Sequence, residues 1–223
     1  MRHRLLTILC AAAACPALAA AQETYTYADL VDRMIDLERL AVLPAPGEKS
    51  AMWSSWDRRA RYDAEKKHYV DWHANGDGNG LIRREGTTQV IAEMDGPGVI
   101  WRIWSAKPEK GHVKMILDGK VALDMPFAHY FDAKHEPFAY PTMGYESARG
   151  KNLYVPIPYQ KSCTVLAEKG WGRYYQITYT TFPNGTEVPT FSTDIPADGV
   201  AALKRVDTYF RDALGTDPAG RRG

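Results

Sequence analysis

Cysteine is nearly absent from the part of this sequence that folds. Cys10 and Cys15 fall within the first 21 residues, leaving Cys163 alone in the rest of the chain. An intrachain disulfide is thereby excluded once those residues are removed. Cys163, Val165 and Ala167 alternate along one strand face, which predicts a buried, inert thiol. Nor is there an excess of charge of either sign. Removing residues 1–21 takes away two of the 28 Lys+Arg and none of the 27 Asp+Glu, leaving a formal charge of −1. Nothing in that balance draws the chain to nucleic acid or to an anionic membrane. Beyond the first 21 residues no apolar run reaches the ~20 residues a membrane helix needs. Internal repeats and low-complexity segments are missing too. The histidines His68, His73, His112, His129 and His135 form no His-Glu-x-x-His pattern and have no paired cysteines. Ser147, in Gly144-Tyr145-Glu146-Ser147-Ala148-Arg149-Gly150, makes no nucleophile elbow. No metal and no cofactor are therefore expected.

What is present begins with a leader. Arg2, His3 and Arg4 precede an apolar run from Leu5 to Cys15, then Pro16 and the small residues up to Ala21. This reads as a secretory signal peptide over 1–21, cleaved near Ala19 or Ala21, and places the protein in the periplasm or outside the cell. The alternative is acylation of Cys15 after Ala12-Ala13-Ala14, which would tether it. The ~200 residues that follow can bury one sizeable core without covalent staples.

Periodicity divides the remainder. Thr26-x-x-Asp29 opens a capping box, and Leu30, Met34, Leu37 and Ala41 recur at helical spacing until Pro44, predicting a helix over 26–42 in an N-terminal helix-and-linker segment, 22–49. Residues 50–86 are polar and aperiodic, which predicts a long irregular stretch with a functional role. After Gly86 the period becomes two. Val90, Ala92 and Met94 alternate, Asp95-Gly96-Pro97-Gly98 is a turn, and Trp101 and Ile103 oppose Ile100, Arg102 and Trp104. Val113, Met115 and Leu117 lead to the hairpin turn Asp118-Gly119 and on to Val121, Leu123 and Met125. Further strands are expected over 153–158, 163–168 and 173–181. Short strands without interleaved helices predict an all-β fold, an antiparallel sandwich over 50–196. Val200, Leu203, Val206, Phe210 and Leu214 then mark a C-terminal helix within 197–223, with part of its stripe expected to stay exposed.

Three segments carry a family resemblance: Ser54-Ser55-Trp56-Asp57-Arg58; Asp95-Gly96-Pro97-Gly98-Val99-Ile100-Trp101-Arg102-Ile103-Trp104; and Tyr154-Val155-Pro156-Ile157-Pro158-Tyr159 followed by Lys161-Ser162-Cys163. They resemble the family long labelled domain of unknown function 2961, glycoside hydrolase family 172, and the resemblance runs over residues 50–182. It implies a jelly-roll domain, the first of two in a longer chain, assembled into a homo-trimer or larger ring and acting on arabinofuranose or fructofuranose linkages by a retaining mechanism. The family's catalytic glutamates lie in a Glu-Gly-Asp-Glu and a Gly-Thr-Gly-x-Glu-Asp-Tyr segment of the second half, and neither occurs in these 223 residues. The resemblance thus implies an N-terminal half lacking its partner jelly roll and catalytically incomplete as given, with the catalytic residues of this chain unknown. A stand-alone carbohydrate-binding or structural domain is the alternative.

Candidate sugar contacts follow from residue type. Trp53 and Trp56 flank Asp57 and Arg58, an apolar platform beside hydrogen-bonding groups, and Asp77 and Glu146 are further carboxylates in irregular segments. Asn75-Gly76-Asp77-Gly78-Asn79-Gly80-Leu81-Ile82 is similar to the start of a calcium loop, but Glu85 sits one position early and Gly86 takes the closing place. A glycine-rich turn is expected there instead of a calcium site.

Overall fold

A computed structural model describes residues 23–217. The leader at 1–21 and the last residues of the tail lie outside the described residues. Within them the fold is an antiparallel β-sandwich with a helix at each end, as the periodicities predict. The six-stranded sheet runs β1 (Lys49–Ser54), β15 (Gln176–Thr181), β6 (Gly98–Ser105), β11 (Gly150–Leu153) and β10 (Gly144–Ser147), with β12 (Ile157–Tyr159) continuing beside β6. The facing sheet runs β4 (Arg83–Glu85), β5 (Thr88–Asp95), β13 (Ser162–Ala167), β8 (His112–Leu117) and β9 (Lys120–Pro126). Two small ribbons complete it, β2 (Arg61–Asp63) with β3 (His68–Val70) and β7 (Lys107–Pro108) with β14 (Gly172–Arg173).

The core lies between the sheets. Ile100, Ile103, Leu153, Ile157 and Ile177 from one face meet Met115, Leu117, Cys163 and Val165 from the other. Burial of each such aliphatic side chain contributes about 1.5–3 kcal/mol. Two long side chains also bond across the gap: the Tyr175 hydroxyl donates to the Ile91 carbonyl at 2.7 Å, and Trp53 Nε1 donates to the Glu93 carbonyl at 2.8 Å. Burial pushes the Tyr175 hydroxyl up to about 12 and raises the Cys163 thiol, which stays protonated and unreactive.

Strand faces depart from simple alternation where the ladder slips. β13 steps from Ala92 to Val90, so Ile91 is an extra residue in β5, and Val90, Ile91 and Ala92 are all buried. Likewise β15 steps from Arg102 to Ile100, and the extra Trp101 lets Ile100 and Ile103 enter the same core. The expectation that Ile100 opposes Ile103 is therefore corrected: a bulge inverts the phase locally. Asp118 and Gly119 both have positive φ, 52° and 81°, as a two-residue hairpin turn demands. The strand expected over 173–181 is split at Tyr174, whose φ of 62° cannot continue a ladder.

The N-terminal helix is shorter than its spacing predicts. Thr26 and Asp29 do form the capping box, but α1 spans Tyr27–Asp32 and only a 3₁₀ turn, Glu38–Ala41, follows. Arg33 turns inward to pair with Glu48 and lies 5.5 Å over both the Trp101 and Phe182 rings. Those contacts lie off the helix path, and Leu37, Leu40, Val42 and Leu43 are left exposed. α2 (Ala197–Asp212) packs on α1, burying Ala202, Leu203 and Val206, with Arg205 paired to Asp32. Most of its stripe is thus buried within the domain, with Val200 and Phe210 half-buried and the end at Leu214 exposed. No helix among the described residues is long and apolar enough to cross a membrane.

Candidate functional site

β1 is the first correction to the irregular stretch expected over 50–86: Lys49–Ser54 pairs in register with β15, from Lys49 opposite Thr181 to Ser54 opposite Gln176. The chain leaves the sheet at Ser55, whose N–H donates to the Tyr175 carbonyl at 3.1 Å and whose hydroxyl accepts the Tyr175 N–H at 3.2 Å. The Ser55 carbonyl then accepts from the N–H of Gly78 at 2.7 Å and of Gly80 at 3.4 Å. This fold-back brings the glycine-rich loop down on the Ser54–Arg58 turn. A Cβ on Gly80 would stand 2.0 Å from the Trp56 carbonyl oxygen, so only glycine fits that approach.

Asp57 and Asp77 lie together here. Asp77 Oδ1 accepts the Asp57 N–H at 2.9 Å, and Asp57 Oδ2 accepts the Gly76 N–H at 2.8 Å. The cation that pairs with Asp57 is Arg59, not Arg58. Arg59 grips both carboxylate oxygens, at 3.1 and 2.6 Å, and its N–H donates to Oδ1. The Arg59 side-chain bonds, its backbone N–H and that of Gly76 hold the Asp57 carboxyl well below the usual carboxylate range, so it stays ionised. Arg58 instead donates to the Ser54 and Trp56 carbonyls and lies 4.5 Å over the Trp56 ring.

The sequence pairing of two tryptophans as one platform does not hold. Trp53 sits on β1, half-buried against the core, with its indole N–H taken by Glu93. Trp56 is 41 % exposed beside a cleft of about 460 Å³ lined by Asp57, Arg58, Arg59, Arg61, Asn79 and Leu81. Glu146 is remote. It lies on β10, the opposite edge of the sheet, four strand spacings or roughly 19 Å from β1, where Lys151 pairs with it. The calcium-like ligands also point to separate partners: Asp77 to the Asp57 amide, the Asn79 amide to the Gly76 carbonyl, and Glu85 to Arg83.

Arg59 and Asp118 are the residues sequence reasoning missed. Two adjacent arginines give no signal as to which one turns back on Asp57. Asp118, seen only as a turn residue, accepts the N–H groups of Gln160, Lys161 and Ser162 at 3.0, 2.6 and 3.0 Å and the Thr190 hydroxyl. A second cleft, of about 440 Å³, opens on the outer face of the six-stranded sheet between Met34, Trp101, Arg102, Tyr154 and Phe210. Arg102, held by Asn152 and Gln176, lies 5.9 Å over Tyr154 there.

Chemically, the first cleft offers a row of guanidinium groups as hydrogen-bond donors, with the Trp56 ring next to it and carrying Arg58 on its face. Its one carboxylate is tied up in an ion pair. The model of the GH172 first beta-sandwich domain matches residues 46–198, from the strand that precedes the cleft through the start of α2. The chain belongs to the GH172 family. No curated protein matches it. Membership through the first sandwich agrees with the motifs at Ser54–Arg58, Asp95–Trp104 and Tyr154–Cys163, which occupy β1 and its turn, the β5–β6 turn with β6, and the passage from β11 to β13.

Proposed function

We propose that this chain is the first β-sandwich of a secreted or periplasmic glycoside hydrolase that acts on furanosides, arabinofuranose or fructofuranose linkages, and that a second sandwich supplies the two catalytic carboxylates. Membership of the GH172 family through its first sandwich domain is the observation that carries the reading. Supporting it, retention needs two carboxyl groups about 5–5.5 Å apart. Here Asp57 is clamped by Arg59, and Glu146 sits at the far edge of the sheet. In this reading the sandwich positions glycan, the second sandwich completes the active site, and the whole assembles into a homo-trimer or larger ring.

The test offers aryl arabinofuranosides and aryl fructofuranosides to the chain alone and then with a second sandwich from a related protein. Turnover only on complementation is the expected result. Turnover by the chain alone, lost on Asp57→Asn or Glu146→Gln, overturns it. A second reading, a stand-alone carbohydrate-binding domain, is favoured by the exposed ring of Trp56 beside its cleft. It requires furanoside binding that falls on Trp56→Ala, with no turnover under either condition.

A further inference from the structure

The chain after β9 passes through a 3₁₀ turn, Phe127–Tyr130, and a tight bend in which Ala133 has a φ of 52°. Phe127, Tyr130 and Phe131 anchor this segment in the core, and the Tyr130 hydroxyl donates to the Val113 carbonyl. Among and just after these anchors, the polar side chains His129, Asp132 and His135 converge. Their donor atoms all lie within 4.8 Å of one another. Asp132 is itself fixed, since its Oδ1 accepts the Lys134 N–H at 3.0 Å, and its Oδ2 stands 2.9 Å from His135 Nδ1. The His129 and His135 rings are stacked 3.7 Å apart and nearly parallel, at 4°.

We propose that His129, Asp132 and His135 form a site for a divalent transition-type cation, of which Zn²⁺ is the representative. Two imidazoles and one carboxylate are the donor set that favours zinc and its neighbours over calcium and magnesium, which take oxygen ligands. Tetrahedral zinc with bonds of about 2.0–2.1 Å needs donors about 3.3 Å apart, so the donors must close in from the present spacing and one ring must turn. A metal lies in the plane of each imidazole it binds. The exposed His135 ring must therefore tilt out of the parallel stack, while His129, half-buried beside the Phe127–Tyr130 anchor, stays. The fourth position is left to water or an added ligand. The spacing of three and three residues is set by a turn and not by a helix face, which is why no linear metal pattern marks it.

The experiment uses the full chain without a histidine tag. Zn²⁺ and Ca²⁺ are titrated separately by calorimetry, and Co²⁺ is added while the visible absorption is followed. One equivalent of Zn²⁺ per chain is expected, no Ca²⁺ heat, and Co²⁺ bands of a low-coordinate site. His129→Gln and His135→Gln should each weaken Zn²⁺ by at least the roughly 10- to 100-fold seen when metal sites lose even an outer partner. Far-ultraviolet dichroism of the variants establishes that they fold. On the unmodified chain, Zn²⁺ should protect His129 and His135, but not His68, from acylation by diethyl pyrocarbonate read by mass spectrometry. Absence of Zn²⁺ uptake, equal Ca²⁺ binding, uptake unchanged in the variants, or acylation of both histidines despite Zn²⁺ overturns the proposal.

Discussion

Phe127, Tyr130 and Tyr175 in the sandwich are 1 %, 0 % and 1 % exposed, whereas Trp56, Tyr62, Tyr69 and Trp72 in the loops and small ribbon after β1 are 41 %, 55 %, 62 % and 78 % exposed. The first group stabilises by area removed from water and by ring-edge contacts, as between Phe127 and Trp171 at 5.8 Å. The second group covers little. What holds the loops is polar: the Ser55 carbonyl, the Asp57–Arg59 pair, and the close approach of Gly80. A family of sandwiches can keep the first region for stability and use the second for recognition, because the loop aromatics are not needed to build the core.

Breaking the core should have the largest effect. Phe127→Ala empties a site lined by Tyr130, Phe131 and Trp171, and chemical denaturation should register a loss of about 3–5 kcal/mol. Next comes Gly80→Ala, which places a methyl group against the Trp56 carbonyl. A loss of about 1–3 kcal/mol is expected, together with faster proteolysis within 56–80 but unchanged protection of the sandwich strands in hydrogen exchange.

Asp57→Asn tests the polar clamp through pH. The folded Asp57 carboxyl is held below its unfolded value by Arg59. Its stabilising contribution is therefore present above about pH 3.9, the unfolded value, and is lost as pH falls through the lower folded value. The variant should be less stable at neutral pH and should show a shallower decline below pH 4 in thermal melts across pH 2–7. An unchanged acid profile would place the acid sensitivity elsewhere, with Asp118 the first alternative. Its carboxyl is raised by burial but held low on balance by the Thr190 hydroxyl and three amide N–H groups. The smallest effect should be Trp72→Ala, within about 0.5 kcal/mol of the parent by denaturation, as for a surface side chain whose ring meets only the exposed His73 ring at its edge. A larger loss would erase the distinction between the two regions.

Much of the sandwich was legible because its cues are local. Asp118-Gly119 announces its own hairpin, and β8 alternates cleanly through Val113, Met115 and Leu117. The hairpin between β10 and β11 was not legible. Its turn residues are Ala148 and Arg149, with φ of 48° and 66°, and neither residue type signals a left-handed turn. At the candidate site, the residues Trp56, Asp57 and Asp77 were identified from composition and placed together by the fold. Arg59 was not, since choosing between Arg58 and Arg59 depends on which way the turn sends each side chain.

The sequence by itself determined the class of the domain, its family, the capped start of α1, the apolar stripe of α2 and the burial of Cys163. Each of these rests on residue identity and short-range period, which a linear chain displays. Only the tertiary structure decided that α1 stops at Asp32, that Trp101 and Ile91 shift the phase of their strands, and that Trp53 faces inward while Trp56 does not. It alone brought His129, Asp132 and His135 together and set Asp57, in the turn after edge strand β1, far from Glu146 on the opposite edge strand β10. The physical reason is common to all of these. A bulge, a helix end or a side-chain pairing is chosen by contacts with residues well beyond the local turn, such as Arg33 with Glu48, 15 positions on, and Asp57 with Gly76, 19 positions on, and those contacts exist only after the chain has closed on itself.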